Sequence, residues 1–404
     1  MRSLTIAATT PHCCVRSPVS EDFSIHAVFP NYYDGTRVSY SFKSLLETMG
    51  GPRIPVHGYV FGKAFAAEDD VCALLPLALY KHTSRLVRRP CQAIVGRYGY
   101  RMRRGDVAYL WLDSPPQVTR KLQDRGVVVV REMINCTADR CRAELTEAHR
   151  RLGIAYCAPW TDQVVEDERQ QLLAADAVLC PNDMVFESVV ACGVPANRCI
   201  KTSYGWSATR LEGTSASIPK DGRLTFLFVG TGDVRKGLPW LLQAWDRAGV
   251  AGKLLLAGTI DSRVKIDYAR VLSRSDVIQL GHVSNVGAAY RSADVFCFTS
   301  WEEGGPMVTI EAMGMGLPCI VSPMGGAGIL SKRSGGAIMV DPGDVDSIVH
   351  ALRQVADSPS LRSQLGGECR AIARDYVWER VGARRTEAIR KVREARFATS
   401  VGPV

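Results

Sequence analysis

A chain of 404 residues is too long to close around one ordinary core, so two domains are expected; 46% apolar and 23% charged residues describe a globular protein, not a disordered or fibrous one. No stretch approaches the ~18 consecutive apolar residues of a membrane span, and the longest run, Val71 to Tyr80, is interrupted by Pro76. The net charge of +9 is uneven: residues 81–104 carry Lys81, Arg85, Arg88, Arg89, Arg97, Arg101, Arg103 and Arg104 and no acid, which suits an anionic membrane surface or lipid phosphate and reads equally as a solvated face, while no nucleic-acid-reading motif accompanies it.

Residues 1–20 lack the apolar core of a signal peptide and read as a loose extension, or as the product of a start codon placed too early. The thirteen cysteines are odd in number and scattered, without a Cys-x-x-Cys pair, so they read as reduced thiols of a cytoplasmic protein. Ser24–Pro30 is a strand, residues 31–37 a turn-rich loop and Tyr40–Met49 a helix ending at Gly50-Gly51. Strands follow at Asp106–Leu112, Gly126–Arg131 and Ala177–Cys180, with helices at 116–125 and 137–152 between them. This alternation makes 21–212 a Rossmann-like domain with a parallel sheet. Residues 213–221, rich in small and polar side chains and containing Pro219, form a linker.

The pattern then restarts over 222–375. Leu224–Val229, Lys253–Ala257, Asp276–Leu280, Val295–Thr299 and Pro318–Ser322 are strands, and 238–248 and 286–292 are helices. Residues 359–393 are helical, and 376–404 form a last helix and tail able to reach back across both domains. The fold class is therefore α/β, two doubly wound Rossmann-like domains facing across a cleft, with the binding site at the carboxyl ends of the strands.

The most informative segment is Ser300 to Pro318, Ser-Trp-Glu-Glu-Gly-Gly-Pro-Met-Val-Thr-Ile-Glu-Ala-Met-Gly-Met-Gly-Leu-Pro. Strand, Gly-Gly-Pro turn and helix leave backbone amides at a helix amino end, where the dipole favours a phosphate. Gly304 and Gly305 let a ligand approach the backbone, Pro306 suits the first turn, and Glu311 lies about 7–8 Å along the helix at ~1.5 Å per residue. Glu303 at the mouth and Glu311 below can each meet the hydroxyls of one sugar, with a diphosphate between: the outline of a nucleotide-sugar. After Leu224–Val229 comes a second turn, Gly230-Thr231-Gly232-Asp233-Val234-Arg235-Lys236-Gly237, whose Arg235 and Lys236 would stabilise charge on a leaving diphosphate. Gly281-His282-Val283 closes another strand and offers backbone to a base edge.

Taken in order, these pieces resemble the retaining glycosyltransferases of the GT-B fold, glycosyltransferase family 4 (group 1): the Gly-containing turn ending in Arg-Lys-Gly, Gly-x-Val at 281–283, Tyr-x-x-Ala-Asp-Val-Phe at 290–296, Glu-x7-Glu at Glu303 and Glu311, and Gly-x-Pro at 316–318. The resemblance is close over about 170–320, and Tyr376-Val-Trp-Glu-Arg380 looks like the family's crossover helix. It implies that Lys236, with Arg235, binds the donor diphosphate, aided by Gly230, Thr231 and Gly232. Glu303 would hold the donor sugar, Gly304, Gly305, Pro306, Met307 and Val308 would offer backbone to sugar and phosphate, Glu311 would bind the ribose, and His282 and Val283 would border the base. The expected partners are a nucleoside diphosphate-sugar and a glycan or lipid-linked hydroxyl acceptor in cell-surface polysaccharide synthesis, with no metal and no cofactor.

Two departures stand out. Many members carry Arg directly after the first Gly, where this chain has Thr231; many place a His near the reacting carbon in the first domain, where the comparable region, Arg131–Cys136, offers Glu132 and Asn135. These two are the expected acceptor-side residues, with core or capping roles as their alternative. A glycosidase would have no use for Lys236, and no Gly-x-Gly-x-x-Gly follows a strand, which excludes a redox dinucleotide fold. A GT-B scaffold that binds a partner without turnover remains the alternative.

Overall fold

The computed structural model describes residues 22–64, 71–75, 90–212, 215–216, 218–219, 221–331 and 335–398. The expected N-terminal extension, residues 76–89 and parts of the linker lie outside these.

The first sheet contains β1 (Ile25–Tyr33), β2 (Val56–Lys63), β3 (Val71–Leu75), β4 (Val107–Trp111), β5 (Val128–Glu132), β6 (Ala177–Cys180) and β7 (Cys199–Lys201). All pairs are parallel, in the order β3-β2-β1-β4-β5-β6-β7. The second contains β8 (Leu224–Val229), β9 (Gly252–Ala257), β10 (Val277–Gly281), β11 (Val295–Phe298), β12 (Cys319–Val321) and β13 (Ala337–Met339), also parallel, in the order β10-β9-β8-β11-β12-β13. Helices cover both faces, which is why the central strands read as unbroken apolar runs and are buried throughout, as β4 and β11 are. Strand order reverses between β1 and β4 in one sheet and between β8 and β11 in the other, so each sheet has a crevice at its carboxyl edge there.

β2, β3, β7 and β13 were not expected from the sequence. In β2, Gly58 and Gly62 dilute the apolar signal; β7 and β13 have only three residues each. The apolar run from Val71 supplies the edge strand β3. Helix Asp162–Ala174 was invisible because only Leu172 is buried on it.

The domains touch along two seams. Helix Ala138–Arg151 of the first half contributes Leu145 and Ala148 to the apolar core of the second, and the Arg151 guanidinium sits 5.1 Å over the Trp301 ring. The last helix, Trp378–Ala398, follows the second domain in sequence but packs on the first, where Trp378 Nε1 donates to Tyr40 OH at 3.1 Å. Gly382 is required there, since a Cβ would stand 2.3 Å from the Thr48 carbonyl oxygen. Among the described residues no helix is long and apolar enough to cross a membrane.

Candidate active site

Lys236 and Glu303 come from the two strands that flank the reversal in the second sheet. Beyond β8, Asp233 Oδ1 accepts from the Lys236 amide at 2.8 Å and fixes the turn. Gly237 ends it at φ 73°, where an added Cβ would lie 2.0 Å from the Thr299 carbonyl oxygen; helix Leu238–Ala248 starts there. The loop after β11 then sets Glu303 against Lys236: Nζ donates to Oε1, which also accepts from Ser300 Oγ at 3.0 Å. Both side chains are mostly buried. Burial pushes the Lys236 ammonium below its ordinary range, and the Glu303 charge opposes the shift.

Glu302, its unpredicted neighbour, is fully buried. Its carboxylate accepts from Arg235 Nη1 at 3.2 Å, and across the domain boundary from Asn135 Nδ2 at 3.3 Å and the Cys136 amide at 3.2 Å. Burial, then the adjacent Glu303 charge, raises its pKa. Adjacency to Glu303 was visible in the sequence; the direction of the side chain in a loop was not.

Glu311 lies inside helix Met307–Gly314, whose N-cap Pro306 makes no side-chain cap bond. One oxygen accepts from Arg210, and the other lies 3.0 Å from Tyr290 OH. Burial raises its pKa. Arg210 stacks 4.3 Å over the Tyr40 ring, so this cation links the first domain to the Glu311 carboxylate. Neither Arg210 nor Tyr290 was singled out for this role from the sequence.

The Gly-Gly-Pro turn corrects one expectation. Gly304 and Gly305 were read as bare backbone for a ligand, but the first domain presses on both. A Cβ on Gly304 would fall 1.5 Å from the Ile134 carbonyl oxygen, and one on Gly305 would lie 2.5 Å from the Tyr204 ring. Asn182 Nδ2 donates to the Gly304 carbonyl at 2.6 Å while its Oδ1 caps the next helix through the Val185 amide at 2.7 Å. Met307 Sδ accepts from Ser41 Oγ at 3.2 Å, and Val308 is partly buried.

Glu132 has the core contacts given as its alternative: its carboxylate accepts from Tyr109 OH at 2.5 Å, Tyr204 OH at 2.9 Å and Arg385 Nη1 at 2.6 Å, and the residue also lines a cavity around Asn135. Asn135 does reach the seam, through Glu302. Asn135, with Leu112, Asp113, Arg131, Glu132 and Glu168, lines this cavity of about 370 Å³ at the carboxyl edge of β4 and β5. Leu112 takes φ 55°, a strained value for a branched side chain, at the reversal point of this sheet. Thr231 and His282 are exposed, Gly230 and Val283 partly buried and Gly232 buried; His282 and Val283 follow β10, the sheet edge. Among the described residues no cluster of three or more His, Cys, Asp or Glu side chains is arranged to hold a metal ion.

Residues 223–358 match the family model described as Glycosyl transferases group 1. An uncharacterised glycosyltransferase of Methanocaldococcus jannaschii is 30% identical over 183 residues, 43% of this chain and 46% of that one. The UDP-Gal:alpha-D-GlcNAc-diphosphoundecaprenol alpha-1,3-galactosyltransferase of Escherichia coli is 30% identical over 105 residues, 26% and 27% of the two chains. The matched segments thus span less than half of these relatives' length. Among solved structures, sucrose-phosphate synthase of Thermosynechococcus elongatus superposes with a TM-score of 0.68 at 16% identity, covering 92% of this chain and all of that one (100%). The lipopolysaccharide glycosyltransferase WaaG gives 0.64 at 16%, covering 90% and 99%. The chain has the two-domain GT-B fold, and residues 223–358 of its second domain match the glycosyl transferases group 1 model.

Proposed function

We propose that the protein is a retaining glycosyltransferase that moves one hexose-like sugar from a nucleoside diphosphate-sugar to a hydroxyl of a glycan or lipid-linked acceptor. The observation that carries this reading is the Lys236–Glu303 pair at the strand reversal of the second sheet. A buried ion pair of this kind is a neutral placeholder. The donor would split it, the diphosphate taking Lys236 and the sugar hydroxyls taking Glu303. Glu311 would exchange Arg210 for the ribose in the same way. Lys236, Arg235 and the amino end of helix Met307–Gly314 would then stabilise charge growing on the leaving diphosphate, and the scheme calls on no cofactor beyond the donor. The scheme uses no protein nucleophile: the leaving phosphate oxygen would take the acceptor's proton as the acceptor oxygen bonds to the sugar on the same face.

The acceptor would enter the cavity beside Asn135, whose Asp113, Glu168 and Arg131 suit a hydroxyl-rich ligand. Two relatives point to cell-surface glycans: the Escherichia coli galactosyltransferase is named for a diphosphoundecaprenol-linked substrate, and a Staphylococcus aureus relative, 26% identical over 155 residues, for capsular polysaccharide biosynthesis. A lipid-linked acceptor would place the basic stretch 81–104 near an anionic membrane surface.

One observation favours a second reading, a GT-B scaffold without turnover: Glu311 is fully engaged by Arg210 and Tyr290, and the Gly304 turn is covered by the first domain. A panel of UDP-, GDP- and ADP-sugars, read by release of the nucleoside diphosphate, decides between them. Turnover with one donor, lost in Glu303→Gln, is the expected result; failure of every donor to bind would remove the enzyme reading.

A further inference from the structure

The amino end of the first sheet, opposite the edge that faces the active site, holds a second polar cavity of about 470 Å³. Its floor is a hydrogen-bonded chain on three adjacent strands. His26 on β1 lies in register with His57 on β2, and its Nδ1 is 3.0 Å from Tyr59 OH while its Nε2 is 3.3 Å from Asp106 Oδ2. Asp106 also accepts from the Ser24 amide at 2.9 Å and the Arg103 amide at 2.7 Å. Asp106 lines the cavity too, with its oxygens engaged by these two amides and by His26.

The rim is cationic. Arg101, Arg103 and Arg104 are exposed, and among the described residues none of the three has a carboxylate within salt-bridge distance. Arg101 and Arg104 are nonetheless held in place. Arg101 lies 5.7 Å over the Tyr98 ring and 5.8 Å over that of Tyr100, which is itself 65% exposed. The Arg104 stem rests on Gly126, where a Cβ would be 2.8 Å from its Cγ. Three guanidinia share this cavity with Arg53 and with the carboxylates of Asp22 and Asp106, so cations outnumber acids there, and an anion with several oxygens would accept forked hydrogen bonds from them.

We propose that this cavity binds a phosphomonoester or diphosphate group through Arg101, Arg103 and Arg104, with Tyr59 at its floor. The group belongs either to a soluble phosphate compound or to a lipid headgroup, since both present the same oxygens. The site lies at the other end of the sheet from the donor pocket and stands or falls independently of it.

The test uses the full-length protein in two arms: calorimetric titration with inorganic pyrophosphate, and flotation with phosphatidylcholine vesicles made with and without phosphatidic acid. The Arg103→Ala/Arg104→Ala variant removes two exposed guanidinia and leaves the Asp106–His26–Tyr59 chain intact; Lys236→Ala serves as the donor-site control. Wild type and Lys236→Ala are expected to bind in at least one arm, and the double variant to bind about tenfold or more weakly in that arm. Binding to pyrophosphate assigns a soluble ligand, and binding only to phosphatidic acid vesicles assigns a headgroup. The proposal is overturned if neither probe binds, if the double variant binds like wild type, or if Lys236→Ala alone abolishes binding.

Discussion

Arg385 and Glu132 meet at 2.6 Å, 253 residues apart in sequence, with both side chains shut off from solvent. The pair ties the last helix to β5 of the first domain. Its other polar atoms are occupied too: Arg385 Nη2 and Nε donate to the Ser203 carbonyl at 2.9 and 3.1 Å, and Tyr109 and Tyr204 donate to Glu132. Removing one partner strands a charge in the interior. Arg385→Met is therefore expected to cost about 3–5 kcal/mol, seen as an early thermal or urea transition. Glu132→Met/Arg385→Met should recover much of that loss, because two apolar side chains leave no orphan charge. A single variant as stable as wild type would show the cluster to be solvated after all.

That pair also shows where sequence reading ends. The strands β4, β5, β8 and β11 and the helix after Pro306 were legible, because burial on both faces writes continuous apolar runs. Lys236, Glu303 and Glu311 were legible as a spacing. Glu132 was not, because its partners Tyr109, Tyr204 and Arg385 converge from three separate parts of the chain. Glycine carries the same ambiguity: Gly304 signals a close approach, but nothing local says whether ligand or protein approaches. The roles of Glu302, Asn182 and Arg210 exist only across the domain seam, so no local pattern could mark them.

Lys236 and Glu303 should lose function as a unit. In the proposed reaction Lys236→Met would remove the cation facing the leaving diphosphate, and a kcat fall of about 10²–10³-fold is expected, the range for loss of one electrostatic stabiliser. Glu303→Gln should fall by a similar factor, since the donor sugar loses its charged acceptor. The double variant should be far less than multiplicatively impaired, because each single change already breaks the shared pair. Steady-state kinetics with the donor found in the panel measure this; fully multiplicative losses would mean that the two residues act separately.

Gly304→Ala tests whether the domain seam matters for turnover. The added methyl would meet the Ile134 carbonyl oxygen at 1.5 Å, a clash only backbone movement can relieve. The closed arrangement should be lost while each sheet keeps its own core. A larger radius of gyration in solution scattering and a kcat lower by about tenfold or more are expected, with little change in thermal stability. An unchanged radius with full activity would mean that the seam yields locally and plays no part in the reaction.

The pH dependence of donor capture follows from two buried groups shifted in opposite directions. Burial raises Glu311 above its ordinary 4.5, so as pH falls it takes up a proton before an exposed carboxylate would, and a protonated Glu311 would no longer serve as the charged acceptor proposed for the ribose. Burial lowers Lys236 below its ordinary 10.5, so as pH rises it sheds its proton early, and a neutral amine no longer holds a diphosphate. The profile of kcat/KM for the donor should thus be a bell whose acid limb begins above pH 4.5 and whose alkaline limb begins below pH 10.5. Lys236→Arg discriminates: a guanidinium stays charged throughout, so the alkaline limb should move up even where the geometric mismatch lowers the plateau. An alkaline limb unmoved by Lys236→Arg would assign it to another group and weaken the case for Lys236 as the diphosphate ligand.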